Sequence, residues 1–173
     1  MPKTTSFIDF YNRFATEQIC RDYLEKARWG DTLTCPRCGS YKAYKFSDGK
    51  LFKCGDCRRQ FTVRVGTIFE DSKLPLQKWF LAVYLATSLK KGISSVQLSK
   101  YLGITQKSAW FMLHRIRYAI ETGNGNLLSG EVEIDETYVG GKSANRAYEA
   151  VKPKQVVFGM VERGGNVKIK HVK

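Results

Sequence analysis

Apolar positions recur at helical spacing in two short stretches at the start of the chain. Ser6 to Phe14 and Thr16 to Arg28 each read as a helix, the second with Ile19, Cys20, Tyr23, Leu24 and Ala27 along one face. Residues 35–65 read instead as short strands. Tyr41, Tyr44 and Phe46 precede Ser47-Asp48-Gly49-Lys50, Leu51 and Phe52 follow, and Phe61, Val63 and Val65 alternate strictly. Asp48-Gly49 predicts a hairpin turn, because glycine takes positive φ without steric cost.

Helical spacing returns over 75–90, with Pro75 in the first turn, where its missing N–H costs nothing, and Gly92 as the stop. A second helix is expected from Ser94, with Gln97 as its capping-box partner, ending at Gly103. A third runs from Thr105 to about Glu121, with Ala109, Leu113, Ile116 and Ile120 on its core face. Gly123-Asn124-Gly125-Asn126 reads as a linker. Beyond it, Glu131 to Val139 alternates as a strand that Gly140-Gly141 breaks, and 142–154 is a polar, basic loop. Gln155 to Glu162 and Val167 to Val172 form two further strands, joined by the turn signal Arg163-Gly164-Gly165-Asn166. The fold class is therefore α+β and multidomain: an N-terminal helical segment at 1–31, a short-stranded segment at 32–70, an all-α segment at 71–122 and a strand segment at 128–173.

Charge changes this picture. The 173 residues carry a formal +13, and residues 32–120 hold sixteen basic side chains against four acidic ones. From Leu74 to Ile120 there is no carboxylate. A solvated helical surface mixes both signs, so a one-signed block reads as a docking surface for a polyanion. The longest apolar run, Trp79 to Ala86, is far below the roughly 20 residues of a membrane span, and no signal-peptide pattern is present. A cytoplasmic protein bound to nucleic acid is expected, with neither a membrane partner nor a small-molecule substrate.

The five cysteines comprise two Cys-x-x-Cys pairs and a lone Cys20, which reads as a small buried hydrophobe. Cys35-Pro36-Arg37-Cys38 and Cys54-Gly55-Asp56-Cys57 are fifteen residues apart, a spacing that lets a hairpin bring four thiolates to one tetrahedral Zn²⁺. Four protein ligands leave no open position, so the ion is structural. Arg37, Lys53, Arg58 and Arg59 offset the excess negative charge, and Arg58, Arg59 and Arg64 are candidate DNA contacts. Protein–protein contact is the competing use of this module.

Ser94 to Arg117 reads as helix, glycine turn, helix. In a helix-turn-helix the second helix presents its N-terminal residues to base edges, here Gln106, Lys107 and Ser108, with Trp110 and Phe111 a turn later. His114, Arg115 and Arg117 would reach phosphates. A plain three-helix bundle has the same outline, and Trp110 fits either a core or a base-stacking role. On the strand at 131–139, Glu131, Glu133 and Asp135 share one face. They would suit a cation, or a solvent-facing acidic edge.

Taken in order, these motifs resemble a known family. Cys35-Pro36-x-Cys38-Gly39, Cys54-x-x-Cys57-Arg58-Arg59-Gln60-Phe61, Gly66-Thr67-Ile68-Phe69, Lys78-Trp79-Phe80, Gln97-Leu98 to Leu102-Gly103, Ala109-Trp110 to His114-Arg115 and Glu133 to Lys142 look like the bacterial zinc-ribbon insertion-sequence transposases related to the Merlin transposons. The resemblance implies a zinc ribbon at 32–70, a helix-turn-helix DNA-binding domain at 71–122, and at 128–173 the first three strands of an RNase H-like DDE core. Such cores hold two Mg²⁺ or Mn²⁺ ions on a carboxylate triad, and the resemblance places the first acid at Asp135. Glu133 and Glu136 are not assigned as ligands.

The second and third acids have no counterpart before Lys173, so the expectation is a truncated transposase. It would bind zinc and the double-stranded DNA of transposon ends, close to the nucleoid, without cutting them. A homo-oligomer is left open. The competing readings are a zinc-ribbon and helix-turn-helix regulator that represses transposition, which has no use for Asp135, and a zinc-ribbon RNA-binding protein.

Overall fold

A computed structural model describes residues 6–123, 128–140 and 154–172. Positions 124–126 of the expected linker and 142–153 of the expected loop lie outside them. Among the described residues the chain forms five helices and two three-stranded antiparallel sheets. They divide between two compact units, residues 1–117 and 118–173.

The first unit opens with α1 (Phe7–Arg13) and α2 (Glu17–Trp29). The Thr16 hydroxyl oxygen accepts from the Ile19 N–H and starts α2. The apolar stripe expected on α2 is narrower than its spacing suggested: Cys20 is buried, but Ile19 and Tyr23 are exposed. Phe14, between the two helices, makes edge contacts with Tyr23 and Phe80 at 5.0 Å each.

Three short strands follow: β1 (Ala43–Lys45), β2 (Phe52–Cys54) and β3 (Gln60–Phe61), paired in that order. The β1–β2 hairpin turns at Gly49, whose φ is +66°, and the Asp48 carboxylate accepts from the N–H groups of Lys50 and Leu51. The strand expected over Phe61–Val65 ends at Phe61. Its alternation survives as burial, with Phe61 and Val63 inside. The backbone turns instead, with the Val65 N–H on the Thr62 carbonyl and the Thr67 N–H on that of Arg64. Among the described residues no strand pairs with it, and the residue period alone does not make a ladder.

Three further helices follow: α3 (Leu76–Ser88), α4 (Ser95–Leu102) and α5 (Gln106–Gly123), the last running past the unit boundary at Arg117. Pro75 lies one position ahead of α3 as its cap. Ser94 and Gln97 form the reciprocal capping box at the start of α4. Gly103 ends α4 in the left-handed conformation (φ 58°, ψ 50°), and the Thr105 hydroxyl accepts from the Ser108 N–H to begin α5. Leu76, Trp79, Leu98, Ala109 and Met112 are fully buried, in one apolar cluster with Phe52, Phe61 and Val63. Met112 takes a core place that the spacing had not assigned, while Ile120 is 51% exposed rather than core.

The second unit carries β4 (Val132–Val139), β5 (Gln155–Glu162) and β6 (Val167–Val172), a meander with β5 in the middle. Registers run unbroken, from Val132 opposite Glu162 to Val139 opposite Gln155, and from Val156 opposite Val172 to Val161 opposite Val167. Gly164 turns the β5–β6 hairpin at φ +75°.

Candidate zinc centre, nucleic-acid interface and acidic strand

Cys35, Cys38, Cys54 and Cys57 come together with all four sulfurs within 4.8 Å of one another. The Cys35–Cys57 and Cys38–Cys54 sulfurs are 3.8 and 3.6 Å apart. Four sulfurs held about 2.3 Å from a tetrahedral Zn²⁺ would lie roughly 3.8 Å from one another, so the cluster fits the ion. Each Cys-x-x-Cys segment is a knuckle closed by its own backbone. The Cys35 N–H bonds the Ser40 carbonyl, and the Cys54 N–H bonds that of Arg59. In both knuckles the residue after the second cysteine has positive φ: Gly39 at +73° and Arg58 at +57°.

The backbone N–H of Cys57, chiefly, and that of Asp56 aim at the Cys54 sulfur and draw its thiol down to about 7 against the desolvation cost. The Ser40 N–H would lower Cys38 in the same way. Desolvation and the three neighbouring sulfurs outweigh it and push Cys38 up to about 12. Four sulfurs so close cannot all carry charge by themselves, and a divalent cation is what relieves them. Cys20 is not part of the cluster. Burial, with a contribution from Glu17, raises its thiol to about 11, so it stays protonated and inert.

The candidate nucleic-acid contacts divide into two groups. Arg64 donates to the carbonyls of Ser72 and Leu74 at 2.9 and 3.0 Å and to the Glu17 carboxylate at 2.6 Å. The same carboxylate accepts from the Leu76 N–H at the start of α3. Arg115 donates to the carbonyls of Ile68 and Glu70 and lies over the Phe111 ring, 4.5 Å from its centroid. Both guanidiniums tie elements of the first unit together. Sequence reasoning counted their charges but had no signal for where the side chains turn.

Arg58, Arg59, Lys107 and Arg117 are exposed and have no ionic partner among the described residues. On α5, Lys107, Trp110, His114 and Arg117 follow at three- and four-residue steps on the exposed side, with Phe111 beside Trp110. Trp110 is 51% exposed and meets His114 with tilted rings, centroids 4.1 Å apart, which places it outside the core. Gln106 donates to the Ser95 hydroxyl, and the Ser108 hydroxyl contacts that of Thr105, so these two also brace the turn between α4 and α5.

On β4 the carboxylates are not equivalent. Arg163, from the β5–β6 turn, pairs with Glu131 at 2.6 Å and with Glu133 at 2.9 Å. Asp135 has no cationic partner among the described residues; one of its oxygens accepts from the Glu136 N–H at 2.9 Å. Directly across from Asp135 on β5 stands Gly159, and beyond it Ile169 on β6. Cross-strand partners share a face. A carboxylate oxygen without a cationic partner, beside a position with no side chain, offers one of the several oxygen donors that a hard divalent cation takes.

Comparison with known proteins finds two family matches in the chain. Residues 15–60 match the family described as transposase zinc-ribbon domain. Residues 127–173 match the ISXO2-like transposase domain. The chain is also 33% identical over 129 residues to an uncharacterized protein in transposable element ISH50 of Halobacterium salinarum. That alignment covers 73% of this chain and 43% of the relative's length, so the chain spans less than half of that relative. No solved structure matches. Among the described residues no helix is long and apolar enough to cross a membrane.

Proposed function

We propose that this chain is an insertion-sequence transposase with a zinc ribbon ahead of an ISXO2-like transposase domain, as its two family matches and its relative in a transposable element suggest, and that residues 32–122 bind duplex DNA at the ends of a mobile element. The observation that carries this reading is the exposed stripe Lys107–Trp110–Phe111–His114–Arg117 on α5, in a segment, 74–120, without a carboxylate. Nothing acidic in that segment neutralises the stripe from within, and a polyanion is its natural complement.

In this reading α4, the Gly103 turn and α5 act as a helix-turn-helix. The start of α5 meets base edges in the major groove, while Arg117 and the knuckle residues Arg58 and Arg59 meet phosphates. Arg64 and Arg115 hold the unit together instead of touching DNA, because their donors are engaged inside it. Zinc is structural and fixes the knuckles from which Arg58 and Arg59 project.

Asp135 is the first acid of a metal-dependent strand-transfer site. When bound, Mg²⁺ or Mn²⁺ would activate the attacking oxygen and stabilise the leaving one at a phosphodiester. The chain's own part is to present one carboxylate oxygen donor on β4, with Glu131 and Glu133 held aside by Arg163. This pairing favours a transposase over a regulator, which would gain nothing from leaving Asp135, of the three acids on that face, without a cationic partner.

Anisotropy of a labelled mixed-sequence duplex tests the DNA reading. Replacing Arg117 by alanine is expected to weaken binding and to reduce the salt slope by about one phosphate contact. Unchanged affinity and slope in both Lys107→Ala and Arg117→Ala would remove α5 from the interface.

A further inference from the structure

We propose that Gly159 is a space-keeping residue, whose missing side chain leaves room beside Asp135 for a divalent cation to seat against the sheet. This rests on reading Asp135 as a metal-binding acid.

Glycine is out of place in β5. The strand reads Gln155-Val156-Val157-Phe158-Gly159-Met160-Val161-Glu162, and every other position but its two ends is apolar and side-chain-bearing. A glycine inside a strand weakens it by roughly 0.5–1 kcal/mol relative to alanine. Folds require glycine for positive φ, for a close approach or for a bulge. None of these holds at position 159. Its φ is not in the left-handed region. A Cβ added there would meet only the Asp135 carbonyl oxygen, at 3.9 Å, an ordinary contact. The register passes through it without a break to both neighbouring strands.

Other glycines of this unit have local reasons. Gly130 and Gly164 sit at φ +70° and +75°. A Cβ on Gly165 would come within 2.5 Å of the Glu162 carboxylate. Gly159 alone of these four is free to be something larger, and it stands opposite the one acid on that face that Arg163 leaves uncompensated. The vacancy and the uncompensated charge coincide. A valine there would place two methyl groups next to the carboxylate, where they would obstruct and desolvate an ion.

The test uses the whole 173-residue chain, labelled for amide NMR and titrated with Mn²⁺, whose paramagnetism broadens nearby signals even when binding is weak. In the native protein the amides of Asp135, Gly159 and Ile169 are expected to broaden first, and Asp135→Asn abolishes this. Gly159→Val is expected to keep the dispersed strand signals and an unfolding midpoint at least as high as the native one. It should need at least about tenfold more Mn²⁺ for the same broadening at Asp135. Gly159→Ala should fall between.

Equal Mn²⁺ response in Gly159→Val and the native chain overturns the proposal. So does loss of the strand signals in both variants, which would mean the fold needs the glycine. If the native chain shows no broadening centred on Asp135, the metal reading of that acid fails first, and the role of Gly159 with it. If Asp135 broadens equally in every Gly159 variant, only the role of Gly159 fails.

Discussion

Arginines that are alike in the sequence do different work in the structure. Arg64 spends three donors on Ser72, Leu74 and Glu17 and so joins the tail of the zinc module to α2 and to the start of α3. Replacing it by leucine leaves the Glu17 carboxylate without its main cation. It should cost about 2 kcal/mol of stability, read by chemical denaturation, with DNA affinity unchanged well below the unfolding midpoint. A loss of affinity without loss of stability would return Arg64 to the interface. Arg58 gives the opposite expectation. It holds a left-handed backbone where the matching knuckle uses Gly39, and its guanidinium has no partner among the described residues. Arg58→Gly relieves that conformation, so the zinc-loaded protein should become more stable by up to about 1 kcal/mol while binding duplex DNA less tightly. Raised stability with undiminished binding would assign Arg58 no part in contact.

At the scale of elements, the periods and punctuation of the sequence are what the structure follows most closely. The Asp48-Gly49 turn, the Ser94–Gln97 capping box, the Gly103 stop and the Arg163–Asn166 turn are local devices, each satisfied by atoms a few residues away. That is why they are legible without a structure. The misreadings were of another kind. Val63 and Val65 alternate like a strand but pair with nothing, because pairing depends on a neighbour that the local pattern does not contain. Met112 in the core and Ile120 outside it reflect how α5 rolls against its neighbours, which a spacing rule fixes only to within part of a turn. The four-cysteine spacing pointed to the zinc site and the family resemblance pointed to Asp135, whereas the pairing of Arg163 with Glu131 and Glu133 spans thirty residues or more and has no local signal. One element makes a direct test. Ser94→Ala removes the hydroxyl half of the α4 capping box and leaves the Ser94 N–H on Gln97. It should lower stability by about 1 kcal/mol, with Ser94→Asp restoring most of it; equal unfolding midpoints for native and Ser94→Ala would deny the cap any weight.

At the scale of the whole molecule, the first unit is a basic surface built around buried aromatic residues and a cluster of four sulfurs, and the second is a small sheet on which Arg163 pairs with Glu131 and Glu133 and not with Asp135. Zinc is the piece on which the first depends. Without it, four sulfurs within 4.8 Å of one another lose the cation that reconciles them, and the knuckles bearing Arg58 and Arg59 lose their anchor. Cys20, buried and protonated, should stay unreactive toward thiol reagents in the folded chain, so chelation is expected to expose four reactive cysteines and not five. The most direct measurement is duplex-DNA affinity of the zinc-loaded protein over a salt series, before chelation, after it, and after zinc is restored. The account predicts binding that falls with added salt by about 0.9 log unit per log unit of salt for each phosphate engaged, weakens on chelation and recovers with zinc. Affinity that is absent at low salt, or that persists unaltered once the metal is gone, would contradict it.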